Sequence, residues 1–418
     1  MTHMDKQHCI ILGGGHAAAQ LSTSLRQQGW QDDITMVSEE TVLPYQRPPL
    51  SKGYLSGDLE FDKLLIKSPQ AYEKAGVQLK LGVRAERIDR QSKQVHLGNG
   101  EVLNYTCLAL ALGAQVRQLS VPGIHLHGVF YLRSIADLDR IKAFIHARDK
   151  QHAVIIGGGY IGLETAAVLR KLGMEVTILE AMPRLLQRVT TEDIASFYQR
   201  IHTEEGVTIL CDRTVKAIVG EQDVAAVVCE SGETLRADLV IVGIGVTPHT
   251  ELAVSAGLTT NHGIVVNAFS QTSDPDIVAA GDCTEFFSSQ YDRMIRLESV
   301  PNAMGQATCA AATLCGKPVA YHAQPWFWSD QYDLKLQMAG LSQGYDQAVI
   351  RGNNKTGRNF SVFYLSTGKL LAVDCINQPK EFMMGKKLIA SKQLLNPIQL
   401  ADTSQDLTQL LNQEPLQP

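Results

Sequence analysis

The residues between Cys9 and Glu39 combine a glycine-rich turn with an acid at a fixed spacing. An apolar run ends at Gly13, and the pattern G-x-G-x-x-A follows as Gly13, Gly15 and Ala18. Gly13 permits a tight turn from strand to helix, Gly15 leaves room for a pyrophosphate, and the small Ala18 allows close helix–strand packing. The helix N-terminus offers N–H groups to phosphates, and Glu39 can accept the hydroxyls of a ribose. This segment therefore predicts a dinucleotide site.

A second segment repeats the arrangement and completes the pattern G-x-G-x-x-G as Gly157, Gly159 and Gly162. Glu180 follows the next predicted strand, where a carboxylate favours a free ribose 2′-hydroxyl and hence NADH over NADPH. Arg184, close by, could tolerate a phosphate. Two sites in one chain indicate two different dinucleotides, a flavin and a nicotinamide, between which a hydride passes.

The elements that must position these loops are predicted from apolar runs and glycine turns. Strands are expected at 34–37, 153–156 and 175–179, with helices ending near 28 and running over 161–172. Segments 108–117 and 239–253 are typical of a strand and turn that carry the chain out of each fold. Segment 272–283 reads as a short strand that ends at Asp282, whose carboxylate can bond a polyol chain.

The pattern changes after about residue 320, where antiparallel strands are expected before a helix near 379–395 and a polar tail. The predicted class is α/β, with two Rossmann-like dinucleotide-binding domains and a C-terminal α+β domain with an antiparallel sheet. The NAD domain is inserted in the FAD domain. The predicted boundaries are 1–116 with 246–321 for FAD, 117–245 for NAD, and 322–418 for the C-terminal interface domain.

Composition excludes several other classes of protein. The 418-residue chain has a net charge of −5 and no basic tail, which argues against nucleic acid as its main partner. No run reaches the ~18 apolar residues of a membrane span, and the N-terminus has no apolar run of signal-peptide length. The eight cysteines form no C-x-x-C pair, so we expect small buried side chains in a reducing compartment, no metal site, and a cytoplasmic protein.

Several segments resemble the NADH-dependent ferredoxin reductases of bacterial oxygenase systems, which are glutathione-reductase-like flavoproteins. The matching segments are RPPLSKGYL, FYLRSIADLDRI, VIIGGGYIGLETAA, RLLQRV, ADLVIVGIG, TSDPDIVAAGDC, ESVPNA and PWFWSDQY. The resemblance implies FAD contacts at Ala17, Glu39, Arg47, Lys52, Ala85, Arg133, Asp282, Val300 and Trp328. Strand alternation would place Trp326 on the same strand face as Trp328.

Lys52 is the candidate catalytic residue. Disulfide reductases of this fold carry a redox cysteine pair in this region, but this chain has no cysteine between Cys9 and Cys107. The resemblance implies that Lys52 lies near the flavin and pairs with Glu164, where it could stabilise negative charge on the reduced flavin. The alternatives are a solvated surface lysine and an ordinary helix-face acid. Ser51 could cap a short helix.

The implied activity is hydride transfer from NADH to FAD, followed by single-electron transfer to a [2Fe–2S] ferredoxin that serves a P450 or other oxygenase. The alternatives are a rubredoxin reductase, an NADH oxidase with Cys283 as a thiol centre, and a redox-regulated flavoprotein like the apoptosis-inducing factors. Ferredoxins are usually acidic, so we expect docking at a basic face. The candidates for that face are Arg293, Arg296, Lys386 and Lys387.

Overall fold

A computed structural model describes residues 6–147, 151–322 and 324–411. Its backbone contacts divide the chain into two compact units. Unit 1 comprises Met1–Arg47, Glu60–Gln115 and Val246–Ala323, and unit 2 comprises Pro48–Leu59, Val116–Gly245 and Gln324–Pro418. The polar tail predicted after residue 395 is wrong for residues 397–411, which form two short helices with Leu400, Leu407 and Leu410 buried. The rest of that tail, beyond residue 411, lies outside the described residues.

The core of unit 1 is a five-stranded parallel sheet, which we call the first parallel sheet. Its strands, in spatial order, are Ile277–Ala279, Cys107–Leu110, His8–Leu12, Asp33–Ser38 and Val77–Leu81. The three strands Ile277–Ala279, Cys107–Leu110 and His8–Leu12 are apolar except for His8, as is typical of parallel strands that are buried on both faces. The helix His16–Gln28 ends at Gly29, which adopts the left-handed conformation (φ 102°) and so stops the helix.

The remaining elements of unit 1 are small. Antiparallel strands lie at Ala85–Asp89, Gln94–Leu97 and Val102–Asn104, and a further sheet holds Ile264–Val266, Thr284–Ser288 and Arg293–Ile295. The helices are Phe61–Leu64 (3₁₀), Pro69–Lys74, Glu251–Ser255 and Val300–Leu314. Short strands at Ala114–Val116 and Val246–Pro248 mark the passages of the chain between the units.

Unit 2 contains a second parallel sheet, which also has five strands. Its strands, in spatial order, are Val207–Leu210, Glu175–Leu179, His152–Ile156, Leu239–Val242 and Val129–Tyr131. Its helices are Ile135–His146, Tyr160–Lys171 and Glu192–Glu204, and three antiparallel strands lie at Val215–Gly220, Val224–Cys229 and Thr234–Arg236. In both parallel sheets the strand before the glycine loop lies beside the next strand along the chain, and that strand lies beside the following one, as in a mononucleotide-binding half of a Rossmann fold.

The larger antiparallel sheet of unit 2 is the C-terminal sheet. Its strands, in spatial order, are Trp326–Gln331, Leu334–Gly340, Lys369–Ile376, Phe360–Ser366 and Gln347–Gly352. The helix Pro379–Ser391 lies on this sheet, and Pro397–Ala401 and Thr408–Leu411 follow. The sequence predicted that the long helix would reach residue 395, which is wrong, because Lys392 turns to a left-handed conformation (φ 53°) and ends the helix.

The segment Pro48–Leu59 begins with a 3₁₀ helix, Pro48–Ser51, and belongs to unit 2 through its side chains. The Tyr54 hydroxyl donates to Asp139 Oδ1 at 2.7 Å, and Asp58 pairs with Lys171 at 2.7 Å. The predicted α/β class is confirmed. The predicted division into three domains stays a prediction, since the backbone contacts place the second nucleotide fold and the C-terminal sheet in one unit.

Candidate active site

The first glycine loop, residues 13–15, turns the chain from the central strand into the helix His16–Gln28. Gly13 has a φ of 128°, and a Cβ built on it would lie 2.1 Å from the carbonyl oxygen of Ala111. A Cβ at Gly15 would meet nothing within 4 Å. Among the described residues, no side chain caps this helix N-terminus. The loop therefore offers open space and backbone N–H groups, which is what a pyrophosphate needs.

Two acids, Glu39 and Glu40, follow the second strand, and the sequence prediction named only the first of them. Glu39 is 69% exposed, and its carboxylate lies 3.7 Å from Arg84. Its neighbour Glu40 accepts from the Tyr45 hydroxyl at 2.6 Å and also from Arg47. Arg47 is thus held by an acid that the sequence reading did not single out. Glu39 is left accessible to a ribose.

Two further predicted FAD residues of unit 1, Asp282 and Ala85, lie on elements that approach the first glycine loop or the end of the second strand. A Cβ built on Gly281 would lie 3.3 Å from the Cβ of Ala17, so the turn that carries Asp282 packs against the loop's helix. The Val83 N–H donates to the carbonyl of Ser38 at 2.9 Å, which brings the strand beginning at Ala85 to the end of the second strand.

Val300, another predicted FAD residue, is the first residue of the helix Val300–Leu314. Ser299 caps that helix by accepting a hydrogen bond from Asn302. Ala18 is fully buried, as the predicted packing role of a small residue requires.

The second glycine loop, residues 157–159, has the same geometry in unit 2. Gly157 has a φ of 114°, and its Cβ would lie 2.4 Å from the carbonyl oxygen of Gly243. Gly159 is the N-cap of the helix Tyr160–Lys171, and a Cβ there would meet nothing within 4 Å. A Cβ at Gly162 would lie 2.1 Å from the carbonyl oxygen of Gly157, so helix and strand approach too closely for any side chain.

Glu180 is tied directly to the second loop. Its carboxylate accepts from the Gly158 N–H at 2.7 Å and from the Met182 N–H at 2.9 Å. Both bonds orient the carboxylate at the end of its strand and leave further lone pairs for ribose hydroxyls. The predicted acid therefore lies beside the predicted phosphate loop.

Lys52 and Glu164 form an ion pair within unit 2, with Nζ 2.7 Å from Oε2. The Lys52 side chain is 20% exposed, so it is not the solvated surface lysine that was its alternative, and Glu164, at only 2% exposed, is a buried acid rather than an ordinary helix-face one. A carboxylate this deeply buried costs several kcal/mol unless charged or hydrogen-bonding partners surround it. Ser51 supplies one such partner, since its hydroxyl donates to Glu164 Oε2 at 2.6 Å.

Two serines of this site were missed by the sequence reading. Ser51 was singled out only as a residue that could cap a short helix, whereas in the structure its hydroxyl, at the end of the 3₁₀ helix, donates to Glu164. Ser329 donates to the other carboxylate oxygen of Glu164 at 2.6 Å. The available signal for Ser329 was the strand period, which places it on the face opposite Trp328.

The other predicted residues of unit 2 lie at defined positions. Arg133 immediately precedes Ser134, the N-cap of the helix Ile135–His146, and its N–H donates to Asp137 at 3.1 Å. The rings of Trp326 and Trp328 lie 5.5 Å apart, as the predicted alternation requires.

The predicted docking residues are divided between the two units. In unit 1, Arg296 pairs with Glu298 at 2.5 Å, and the guanidinium of Arg293 lies 5.9 Å from the Tyr291 ring centroid. In unit 2, Lys386 and Lys387 lie on the helix Pro379–Ser391. A single basic face that combines these four residues stays a prediction.

The cysteines are buried or half-buried, as predicted, and all eight are free thiols. Cys283 donates to the carbonyl of Ala280 at 3.5 Å, and burial raises the pKa of its thiol to about 11. Within residues 6–147, 151–322 and 324–411, no three acidic, histidine or cysteine side chains group as a metal site. No helix in the described part of the chain is both long and apolar enough to cross a membrane.

Two open glycine loops, each with an acid after the next strand, define an α/β protein with two dinucleotide-binding folds. The model of the pyridine nucleotide-disulphide oxidoreductases matches residues 7–307, and a reductase C-terminal domain matches residues 326–411. The chain therefore belongs to the pyridine nucleotide-disulphide oxidoreductase family.

The chain is 43% identical over 411 residues to putidaredoxin reductase of Pseudomonas putida, with 96% of each protein covered. It is 41% identical over 399 residues to a ferredoxin–NAD(P)+ reductase of a Sphingomonas species, with 95% of each covered. The fold matches the reductase in the crystal structure of the covalent putidaredoxin reductase–putidaredoxin complex with a TM-score of 0.93. That match has 42% identity and covers 97% of this chain and 98% of that one. The resemblance to ferredoxin reductases is thereby confirmed.

Proposed function

We propose that the chain is an NADH-dependent, FAD-containing ferredoxin reductase. It takes a hydride from NADH and passes the electrons singly to a [2Fe–2S] ferredoxin that serves a P450 or another oxygenase. The observation that supports this most directly is the pair of open glycine loops, at Gly15 and Gly159, in a chain with no cysteine between Cys9 and Cys107. Electrons therefore have no dithiol in that region and must leave for an external carrier.

The two loops fit the two cofactors in different ways. The first loop fits the pyrophosphate of FAD, with the exposed carboxylate of Glu39 positioned for its ribose. The second fits NADH, because Glu180 is held beside Gly158 and repels a 2′-phosphate. The chemistry that FAD supplies when bound is the conversion of a two-electron hydride into two single-electron transfers.

Lys52 is proposed as the catalytic residue, with Glu164 holding it in place. Its ammonium group is a fixed positive charge in a half-buried position, where a charge acts more strongly than in water. Such a charge stabilises negative charge that develops on a reduced flavin. The further FAD contacts at Arg133 and Trp328 are proposed from the family resemblance.

Lys52→Ala should lower the rate of flavin reduction by NADH roughly 10- to 1,000-fold, the usual cost of losing one charge-stabilising group. Stopped-flow absorbance measures that rate, and the flavin content is measured on the same sample. Lys355→Ala, which removes an exposed lysine of unit 2, is the control and should leave the rate unchanged. An unchanged rate with full flavin content in Lys52→Ala would refute the role.

The oxidase alternative is disfavoured by Cys283. A thiol whose pKa is raised to about 11 by burial stays protonated near neutral pH, so it cannot supply the thiolate that a cysteine redox centre needs. The rubredoxin reductase and the redox-regulated flavoprotein remain the other outcomes of the test below.

The decisive experiment is NADH-dependent reduction of cytochrome c with and without a [2Fe–2S] ferredoxin from an oxygenase system. We expect strong stimulation by the ferredoxin, and a stimulated rate that falls with salt because docking uses positive charge. Reduction of ferricyanide should change little with salt. Ferricyanide reduction without ferredoxin stimulation would keep the hydride step and reject the acceptor, and rubredoxin and oxygen would then be tested.

We also propose a cytoplasmic location. The support is chemical, because eight free thiols persist more readily in a reducing compartment than in an oxidising one. Labelling of all eight thiols in protein denatured directly from cells would test this, and a disulfide found there would count against it.

A further inference from the structure

The strand Trp326–Gln331 presents alternate side chains to opposite faces, as every extended strand does. Phe327, Ser329 and Gln331 share one face. The ring of Phe327 lies 4.9 Å from that of Tyr160, the first residue of the second glycine loop's helix. This face of the strand therefore backs the nucleotide-binding helix within unit 2.

The hydroxyl of Ser329 has one proton, and it donates that proton to Glu164 Oε1 at 2.6 Å. A carboxylate is an acceptor only, so the direction of this bond is fixed. Ser329 Oγ must then accept its other bond, and it does so from Gln331 Nε2 at 3.1 Å. This requirement fixes which end of the Gln331 amide faces Ser329.

The carbonyl end of Gln331 faces His202, with 2.8 Å between Oε1 and Nε2. An amide oxygen only accepts, so the His202 proton must be on Nε2. The hydroxyl of Tyr332 lies 3.2 Å from Nδ1 and donates to it. Burial lowers the pKa of His202 to about 4, which agrees with a neutral ring that carries a single proton.

Every hydrogen bond in this series runs from donor to acceptor in the same direction, from Tyr332 through His202, Gln331 and Ser329 to Glu164. The four inner groups of the series are 2% exposed or less. None of them can turn to water for a substitute partner, so breaking one bond leaves a buried polar group unsatisfied. The series is therefore a rigid support for the carboxylate that holds Lys52.

We infer that Ser329 is a positioning residue for hydride transfer, acting through Glu164 on Lys52, and that Gln331 and His202 fix its orientation. This inference rests on the proposed function of Lys52. Ser329 leaves the Glu164 carboxylate one stable direction, with Oε1 toward the C-terminal sheet and Oε2 toward Lys52 and Ser51. Without that donor the carboxylate can rotate, and Lys52 loses its fixed place.

The test compares Ser329→Ala with wild type, both loaded with FAD, by stopped-flow reduction with NADH. We expect the reduction rate at saturating NADH to fall roughly 3- to 30-fold, the effect of one lost hydrogen bond to a charged group. The NADH dissociation constant should stay within about twofold of wild type, since Ser329 lies outside the second glycine loop. Ser329→Thr, which keeps the hydroxyl, should recover most of the rate.

A double-mutant cycle shows whether Ser329 acts through Glu164. In a Glu164→Gln background, adding Ser329→Ala should lower the rate by less than about twofold, because the coupled group is already changed. Equal effects of Ser329→Ala in both backgrounds would overturn the inference. Ser361→Ala is the matched control, since Ser361 is a fully buried serine of the same sheet outside the series, and it should leave the rate unchanged.

Two readouts need no flavin. Competitive acetylation of the flavin-free protein, followed by mass spectrometry, should show Lys52 reacting roughly 3- to 10-fold faster in Ser329→Ala than in wild type, as a lysine released from an ion pair does. Nitrogen-15 NMR of labelled histidine should show His202 protonated at Nε2 only and neutral at pH 6. A proton on Nδ1, or unchanged Lys52 labelling, would overturn the inference.

The failure of this inference is distinguishable from failure of the proposed function. If NADH does not reduce the flavin of the wild-type protein, the proposed function falls, and with it the role assigned to Ser329. If wild type is reduced, Lys52→Ala is slow and Ser329→Ala is as fast as wild type, the function stands and only the positioning role is rejected.

Discussion

The helices that follow the two glycine loops begin alike and are supported differently. His16–Gln28 packs on the helix Val300–Leu314 through an apolar contact built largely from alanines of both helices. Tyr160–Lys171 packs on the strand Trp326–Gln331, where Glu164 is buried among hydrogen-bond donors. The phosphate ends of the two helices are thus built alike, whereas the far side is mainly apolar in unit 1 and carries a buried carboxylate in unit 2.

This difference separates the residues that bind a dinucleotide from the residue that positions the catalytic lysine. The position of Glu164 in the second copy corresponds to Gln20 in the first, and Gln20 bonds only to polar neighbours such as Ser24, at 3.0 Å. A dinucleotide loop therefore needs its glycines and its acid, but places no demand on the back of its helix. That surface is free to carry a group such as Glu164, which positions Lys52.

The largest effect should come from exchanging the small residues that set helix–strand distance. Gly162→Ala would place a Cβ 2.1 Å from the carbonyl oxygen of Gly157, so the helix must move, at a cost of about 2–3 kcal/mol or more. Ala18→Gly in the other loop should cost only about 1 kcal/mol, through helix propensity. Thermal unfolding measures the loss of stability in both variants, and NADH titration measures the loss of affinity. Comparable losses in the two variants would show that the two loops are equally sensitive to a change at this position.

The two acids provide a smaller and more selective test. Glu180→Ala removes a carboxylate that accepts from the loop N–H of Gly158 and from the N–H of Met182, and the KM for NADH should rise roughly 10- to 100-fold. The KM for NADPH should rise less, because a repulsive charge has also been removed. Glu39→Ala should leave both KM values unchanged and weaken FAD retention instead, measured by flavin released on gel filtration. An altered NADH KM in Glu39→Ala would mean that the first loop has been assigned to the wrong cofactor.

The smallest effect should be a pH dependence of the free energy of unfolding, which arises from two buried groups of unit 2. Burial raises the pKa of Asp374 to about 6 and lowers that of His202 to about 4. The stability that Asp374 contributes to the folded state is fully present below the unfolded pKa of ~3.9 and is lost as pH rises through 6. The His202 contribution is present above ~6.5 and is lost as pH falls through 4. Between pH 4 and 6 the two therefore oppose each other, at about 1.4 kcal/mol per pH unit each.

Single substitutions should separate the two contributions. Asp374→Asn should lose stability as pH falls from 6 to 4.5, and His202→Asn should gain it, whereas wild type changes little. Hydrogen exchange of amides in the helix Glu192–Glu204 measures this. Both variants following the wild-type profile would show that neither group titrates in this way.

Local signals made most of the fold predictable. Each strand–glycine–helix unit is encoded within about twenty residues, and the acid follows roughly twenty residues after the glycine loop. The distribution of bonds between adjacent acids was not predictable, because Arg47 binds Glu40 through a turn whose geometry no sequence period reveals. Ser329 was missed for a different reason: its partner is far away in sequence, and the strand period indicates its face of the strand but not its partner. The helix end at Lys392 was missed because a left-handed lysine resembles any other lysine in sequence.

The order of strands in the first parallel sheet affects how the chain can fold during synthesis. The strand Cys107–Leu110 has His8–Leu12 on one side, but its other neighbour, Ile277–Ala279, is made only after the whole inserted segment. At typical translation speeds the wait is on the order of ten to thirty seconds. For that time a fully apolar strand has an unpaired edge, which is the template on which nascent chains aggregate. Slow translation or a missing chaperone should therefore harm this protein's yield more than its measured stability would indicate.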